Sequence, residues 1–157
     1  MDALKDMDKK ASQLIVKQIT AAGKSVVAEA SYLVPGQNPV SNWGPWSKGG
    51  RDLSFSGASA ASGFKLRRSN FRKRGVSAGI GWDVYQTNAA AAIYEVIGDK
   101  SRVTTPQGAH LVDMVASRFP RKQPRTLIPA YYAGMPDGLA ESIKEQILTE
   151  ARKAGLV

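Results

Sequence analysis

Between Ala3 and Leu33 the apolar residues fall at Leu4, Met7, Ala11, Ile15, Ile19, Ala22, Val26, Ala30 and Leu33. Steps of three and four lay one stripe along an amphipathic helix. Pro35-Gly36 ends it, because proline cannot continue a helix and glycine accepts the turn. Val16 and Val27 lie off the stripe, either as lateral contacts within the fold or as part of a face between subunits. The period changes to two in "VSAGIGWDVY", where Val76, Ala78, Ile80, Trp82 and Val84 alternate with Ser77, Gly79, Gly81, Asp83 and Tyr85. That is the pattern of a strand buried on one face, and it turns Trp82 and Val84 toward the first helix. Gly79 and Gly81 sit inside the alternation with no Gly-Lys-Ser/Thr after them, so they mark close approach of another backbone rather than a phosphate loop.

A second apolar strand is expected at Ile93 to Ile97, forming a hairpin with the first through Gln86 to Asn88. Asp99 to Gly108 reads as loop, and His110 to Phe119 as a short helix stopped by Pro120. "RFPRKQPRTLIPA" reads as an extended, proline-punctuated connector. Leu139, Ile143, Ile147, Ala151 and Ala154 stripe a last helix over Pro136 to Ala154, and the early Asp137, Glu141 and Glu145 suit its dipole. Residues 34–63 are rich in Gly, Ser, Pro and Ala without a stable period, which predicts a long loop or arm with little capacity to bury core. Its Trp43 and Trp46 either tuck back onto the domain or anchor the arm in a partner, where Trp is enriched. Residues 1–157 therefore predict a single α+β domain. Long N-terminal and C-terminal helices pack on a small antiparallel sheet.

Charge adds a partner sign to this picture. Twenty-two Lys and Arg against 13 acids leave +9, which favours polyanions or acidic protein surfaces. Six cations, Lys65, Arg67, Arg68, Arg72, Lys73 and Arg74, crowd into "FKLRRSNFRKRG" with no acid among them. Such a run attracts phosphate, and the interleaved Phe64 and Phe71 could stack on bases; it equally describes a solvated basic face. No RNP-type aromatic strand, GXXG clamp or helix-turn-helix accompanies it. Chemistry is sparse. The absence of cysteine removes disulfides, thiolate nucleophiles and Cys-based zinc sites. The one histidine, His110, shares a helix face with Asp113, a poor metal pair. Asp83 and Glu95 could oppose each other on neighbouring strands as a carboxylate pair, although ordinary ion pairing accounts for both. No Gly-x-Ser-x-Gly elbow occurs. The expectation is a protein that is not an enzyme and takes no metal or cofactor. "MDALKDMDKK" has no apolar core of a secretory signal, and no apolar run approaches the roughly 20 residues of a spanning helix. A soluble protein made in the cytoplasm is expected.

Three stretches carry a resemblance. Ser62-Gly63-Phe64-Lys65-Leu66-Arg67-Arg68-Ser69 resembles the "Thr-Gly-x-Leu-Arg-x-Ser" stretch of the tail-completion, or neck, proteins of long-tailed bacteriophages. Ile93-Tyr94-Glu95-Val96-Ile97-Gly98 is similar to that family's "Tyr-Ala-x-x-Val-Glu-x-Gly". Arg125-Thr126-Leu127-Ile128-Pro129-Ala130 resembles its "Pro-Phe-Leu-x-Pro-Ala" entry to a terminal helix. The chain departs from the pattern in one extra residue between Gly63 and Leu66, in the longer arm, and in Arg125-Thr126 standing for Pro-Phe. The resemblance implies a structural virion component of the neck or upper tail, forming a ring around the DNA channel at the head-tail junction. Hexameric symmetry follows by analogy with the tail. Its partners would be its own copies and neighbouring neck, tail-terminator or tail-tube proteins, with passing DNA touched only non-specifically and no membrane involved. The basic segment would then face the channel or an acidic neighbour. A small basic nucleic-acid-binding protein is the alternative, and a hydrolase dependent on His110 a remote third.

Overall fold

The computed structural model describes residues 2–37, 47–48, 51–52, 54–71, 79–96, 104–118 and 125–156. Trp43, Trp46, Arg72, Lys73, Arg74, Val76 and Ala78 lie outside the described residues. Helix α1 (Asp2–Tyr32) runs the expected course, and at 1.5 Å per residue it is roughly 46 Å long. Ala22, Val26 and Ala30 of its stripe are buried, while Leu14, Ile15 and Ile19, nearer the N-terminus, are half-buried. Val27 packs beside the same core, so its off-stripe position is a lateral contact.

Segment 34–63 departs from a plain arm. A ribbon pairs β1 (Ser47–Lys48) antiparallel with β2 (Arg51–Asp52). Helix α2 (Gly57–Ser62) then begins at Ser56, whose hydroxyl accepts from the Ser59 N–H. Its Ala60 is fully buried, and Ser31 Oγ donates to Ala61 O at 2.8 Å, tying α2 to α1. A methyl on Gly57 would meet the carbonyls of Pro35 and Gly36 at 2.7 Å, so this helix starts directly on the turn that ends α1. Short local hydrogen bonding and alanine burial are what composition alone understates.

The hairpin also differs from expectation. β3 (Phe64–Phe71), the basic stretch itself, pairs antiparallel with β4 (Gly79–Gln86), in the register Leu66 with Val84, Arg67 with Asp83 and Arg68 with Trp82. The expected second strand is instead helix α3 (Ala89–Val96). Four successive alanines favour helix, and Asn88 caps them, accepting from the Ala91 N–H at 2.9 Å. Helix α4 (Pro106–Arg118) starts earlier than expected, with Pro106 in its first turn and Thr105 Oγ1 accepting from Gly108. Part of the supposed connector is α5 (Leu127–Gly134); Pro129 is tolerated because first-turn N–H groups have no partner within the helix. Helix α6 (Leu139–Lys153) follows Gly138, whose φ of 67° is left-handed. Six helices and short antiparallel ribbons make an α+β fold among the described residues.

Two apolar clusters hold it. Val26, Ala30, Phe64 and Ala130 join α1, β3 and α5, with Val84 and Leu127 against them. Ala90, Tyr94 and Val115 join α3 and α4, with Phe55 edge-on to Tyr94. Small residues dominate, so backbones come close. A methyl on Gly134 would sit 2.8 Å from the Val26 backbone.

Gly134→Ala should therefore destabilise by about 1–3 kcal/mol despite its better helix propensity. A higher melting temperature for this variant would contradict the close approach. Trp82, on the expected face of β4 but only half-buried, should lose about 1–2 kcal/mol on change to Ala, less than an enclosed ring. A loss near 4 kcal/mol, as for an enclosed ring, would mean that this face is covered in solution.

Candidate functional site

Helix α5 is positioned by charges taken out of water. Glu95, 3% exposed at the end of α3, accepts from the Thr126 N–H at 3.0 Å and the Leu127 N–H at 3.4 Å, and from the Thr126 hydroxyl. A carboxylate from another helix thus meets the free donors at the start of α5, where negative charge is favoured. Thr126, at the N-cap, makes no side-chain cap of its own. Arg125, 4% exposed, donates from Nη1 to Tyr94 O at 2.6 Å in the last turn of α3 and lies 5.5 Å from the Tyr94 ring centre. Burial lowers the Arg125 guanidinium from its ordinary value, while Tyr94 and Glu95 oppose the shift. Glu95 is therefore not half of a carboxylate pair on a sheet. Asp83 sits elsewhere, on the outer face of β4, 3.4 Å from Arg67.

Held in this way, α5 forms one wall of an open groove of about 470 Å³. Ile19 and Gly23 of α1 form the floor with Leu66, Trp82 and Val84 of the hairpin opposite; Ile128, Tyr131 and Tyr132 form the α5 wall. Tyr132 is 78% exposed and Tyr131 50%, their rings edge to face with centroids 5.6 Å apart. Ile128 is exposed beside them. Contiguous exposed aromatics of this kind mark interaction surfaces.

The hairpin splits the basic run between two faces. Alternation sends Phe64, Leu66 and Arg68 toward the groove side and Lys65 and Arg67 outward, since successive side chains of a strand point oppositely. Arg67 is engaged by Asp83 and lies 5.2 Å from the Tyr85 ring centre. That ion pair is exposed and contributes about 0–1 kcal/mol. Lys65 and Arg68 are exposed and hold no ion pair among the described residues. The structure thus brings Lys65, Arg67 and Arg68 onto one ribbon; Arg72, Lys73 and Arg74, like the anchors Trp43 and Trp46, are outside the described residues. His110 is exposed on α4. Among the described residues no three His, Asp or Glu side chains gather as a metal site, and no helix is long and apolar enough to cross a membrane.

No family model, curated protein or solved structure matches this chain.

Sequence reasoning missed that Glu95 meets the start of α5 and Arg125 the last turn of α3, and it missed the groove. The available signal was Thr126 followed by "LIPAYYAG", a capped apolar segment with proline in its first turn. Nothing in the sequence named Glu95 as the partner.

Glu95→Ala should cost about 3–5 kcal/mol, because it strands the α5 donors and removes a carboxylate whose charge favours the protonated form of buried Arg125. Glu95→Gln keeps one acceptor oxygen and should cost less. Thermal unfolding of both variants measures this order; wild-type melting of Glu95→Ala would show that the cap is immaterial.

Proposed function

We propose that this chain is a non-enzymatic structural component of a bacteriophage neck or upper tail, forming a ring around the DNA channel at the head-tail junction. The observation that carries the reading is the meeting of the three stretches that resemble the tail-completion family. Glu95, from the second stretch, binds the Thr126 and Leu127 N–H groups of the third. Phe64, from the first, shares a buried cluster with Ala130 at the end of the third. Segments far apart in sequence thus form one packed unit, as expected when a shared fold constrains all three.

The surface suits docking. An apolar groove stands open beside a hairpin with exposed cations, and repeated modest contacts gain strength in a closed ring. The second reading, a small basic nucleic-acid-binding protein, is favoured by Lys65, Arg67 and Tyr85 sharing the outward face of the hairpin. Phosphate attraction of that kind carries no base information.

A side-chain-resolution reconstruction of the parent particle should find identical copies in a ring at the neck, sixfold by analogy with the tail. A lone asymmetric copy would refute the reading. Reversing Arg67, Arg68, Arg72 and Arg74 to Glu should impair tail joining in a complementation assay and leave the melting temperature near wild type. Free protein should bind DNA weakly, without sequence preference and with affinity falling as salt rises. Tight, sequence-selective binding at physiological salt would promote the nucleic-acid reading instead.

A further inference from the structure

We propose that the groove beside the hairpin receives the acidic outer face of α6 from a second copy of this chain, in a head-to-tail contact. The inference rests on the ring reading and names the surfaces through which neighbouring subunits would meet.

The groove supplies the apolar half of the contact. Tyr131, Tyr132 and Ile128 leave rings and methyl groups in water beside half-buried Trp82, and Tyr and Trp are the side chains most used as interface anchors. Charge indicates what covers them. A chain of net +9 repels its own copies unless the docking surface has the opposite sign. Residues 137–150 provide that sign, with Asp137, Glu141, Glu145 and Glu150 against the single Lys144. Glu150 is taken by Lys153 at 2.7 Å, which holds its carboxyl below the usual range. Asp137, Glu141 and Glu145 are exposed and hold no ion pair among the described residues.

Glu141, Glu145 and Leu148 follow at steps of four and three, so one outer face of α6 carries two carboxylates beside a half-buried leucine. Lys144 flanks this face and is the one opposing charge in its middle turns. On the receiving side, Arg68 lies across from Trp82 on the groove face, whereas Lys65 on the same strand points to the opposite face. Arg68 is not engaged by another described residue, whereas Arg67 already has Asp83. A cation beside apolar groove thus matches carboxylates beside Leu148. Because the hairpin and α6 are different surfaces of one chain, the contact is heterologous: each copy offers one surface to either neighbour, and the series closes when the rotation does.

Sedimentation of the full chain over a range of concentration and salt tests the contact. Wild type should self-associate, and more weakly at high salt, since screening acts within about 8 Å at physiological ionic strength. Arg68→Glu, and separately Glu141→Lys with Glu145→Lys, should each weaken association by roughly tenfold or more. An equimolar mixture of these two variants should recover it, because reversed surfaces then pair in alternation. Tyr132→Ser should weaken association while the melting temperature stays at the wild-type value. A wild type that remains monomeric at millimolar concentration, or charge-reversed variants that fail to recover on mixing, would overturn the contact. A particle ring joined through other surfaces would overturn it and leave the neck reading intact; salt-sensitive, charge-swappable association of a chain missing from particles would do the reverse.

Discussion

Helix α5 is gripped at both ends. At Gly134 its backbone lies against α1 at Val26, so close that a methyl group would not fit without movement. At Thr126 its free N–H groups are met by the Glu95 carboxylate from α3. The first constraint depends on a missing side chain and the second on a charge removed from water. A buried carboxylate is costly unless its lone pairs are satisfied, and here the acceptor is surrounded by donors from Thr126 and Leu127. The same turn carries Arg125 back to the end of α3, so one short stretch satisfies the beginning of one helix and the end of another.

The position of α5 decides what the rest of the molecule presents. With α5 seated on α1, Ala130 and Leu127 complete the cluster around Val26 and Phe64. Tyr131 and Tyr132, one and two positions after Ala130, are left exposed on the groove that Trp82 also lines. The groove is therefore a consequence of helix packing, as eight residues cannot bury every side of a helix that carries apolar residues nearly all round. Alanines and a glycine make the close backbone contacts, and Trp82, Tyr131 and Tyr132 are left at the rim of the groove.

Charge is sorted by the same architecture. Antiparallel pairing of β3 with β4 sends Lys65 and Arg67 to one face and Arg68 to the other, and it pairs Arg67 with Asp83. The acids of the last helix remain in water on its first turns. A chain with strong net charge thereby keeps patches of both signs, the arrangement needed for copies to meet in an ordered way, because electrostatic complementarity sets orientation more than it sets raw affinity.

The sequence by itself determined the elements whose period is uninterrupted. α1 and α6 follow from apolar steps of three and four, and β4 with the inward phase of Trp82 and Val84 from strict alternation; α4 was expected from His110 and begins at Pro106. Local periodicity suffices there because the apolar stripe of each of these elements is turned toward the rest of the fold, buried at Ala22, Val26, Ala30 and Ala151 and half-buried at Ile15, Ile19, Ile143, Ile147, Trp82 and Val84. β3 was hidden by its own charges, since Arg68 occupies an inward position and breaks the alternation begun by Phe64 and Leu66. α3 was hidden because Ile93, Tyr94 and Val96 have strand preference, which its alanines and the Asn88 cap overrode. Only the tertiary structure decided the burial of Glu95 and Arg125, the seating of α5 and the groove that results. Each depends on partners some thirty or more positions away, and a charged residue in a sequence is indistinguishable from a solvated one until its donors or acceptors have been brought to it in space.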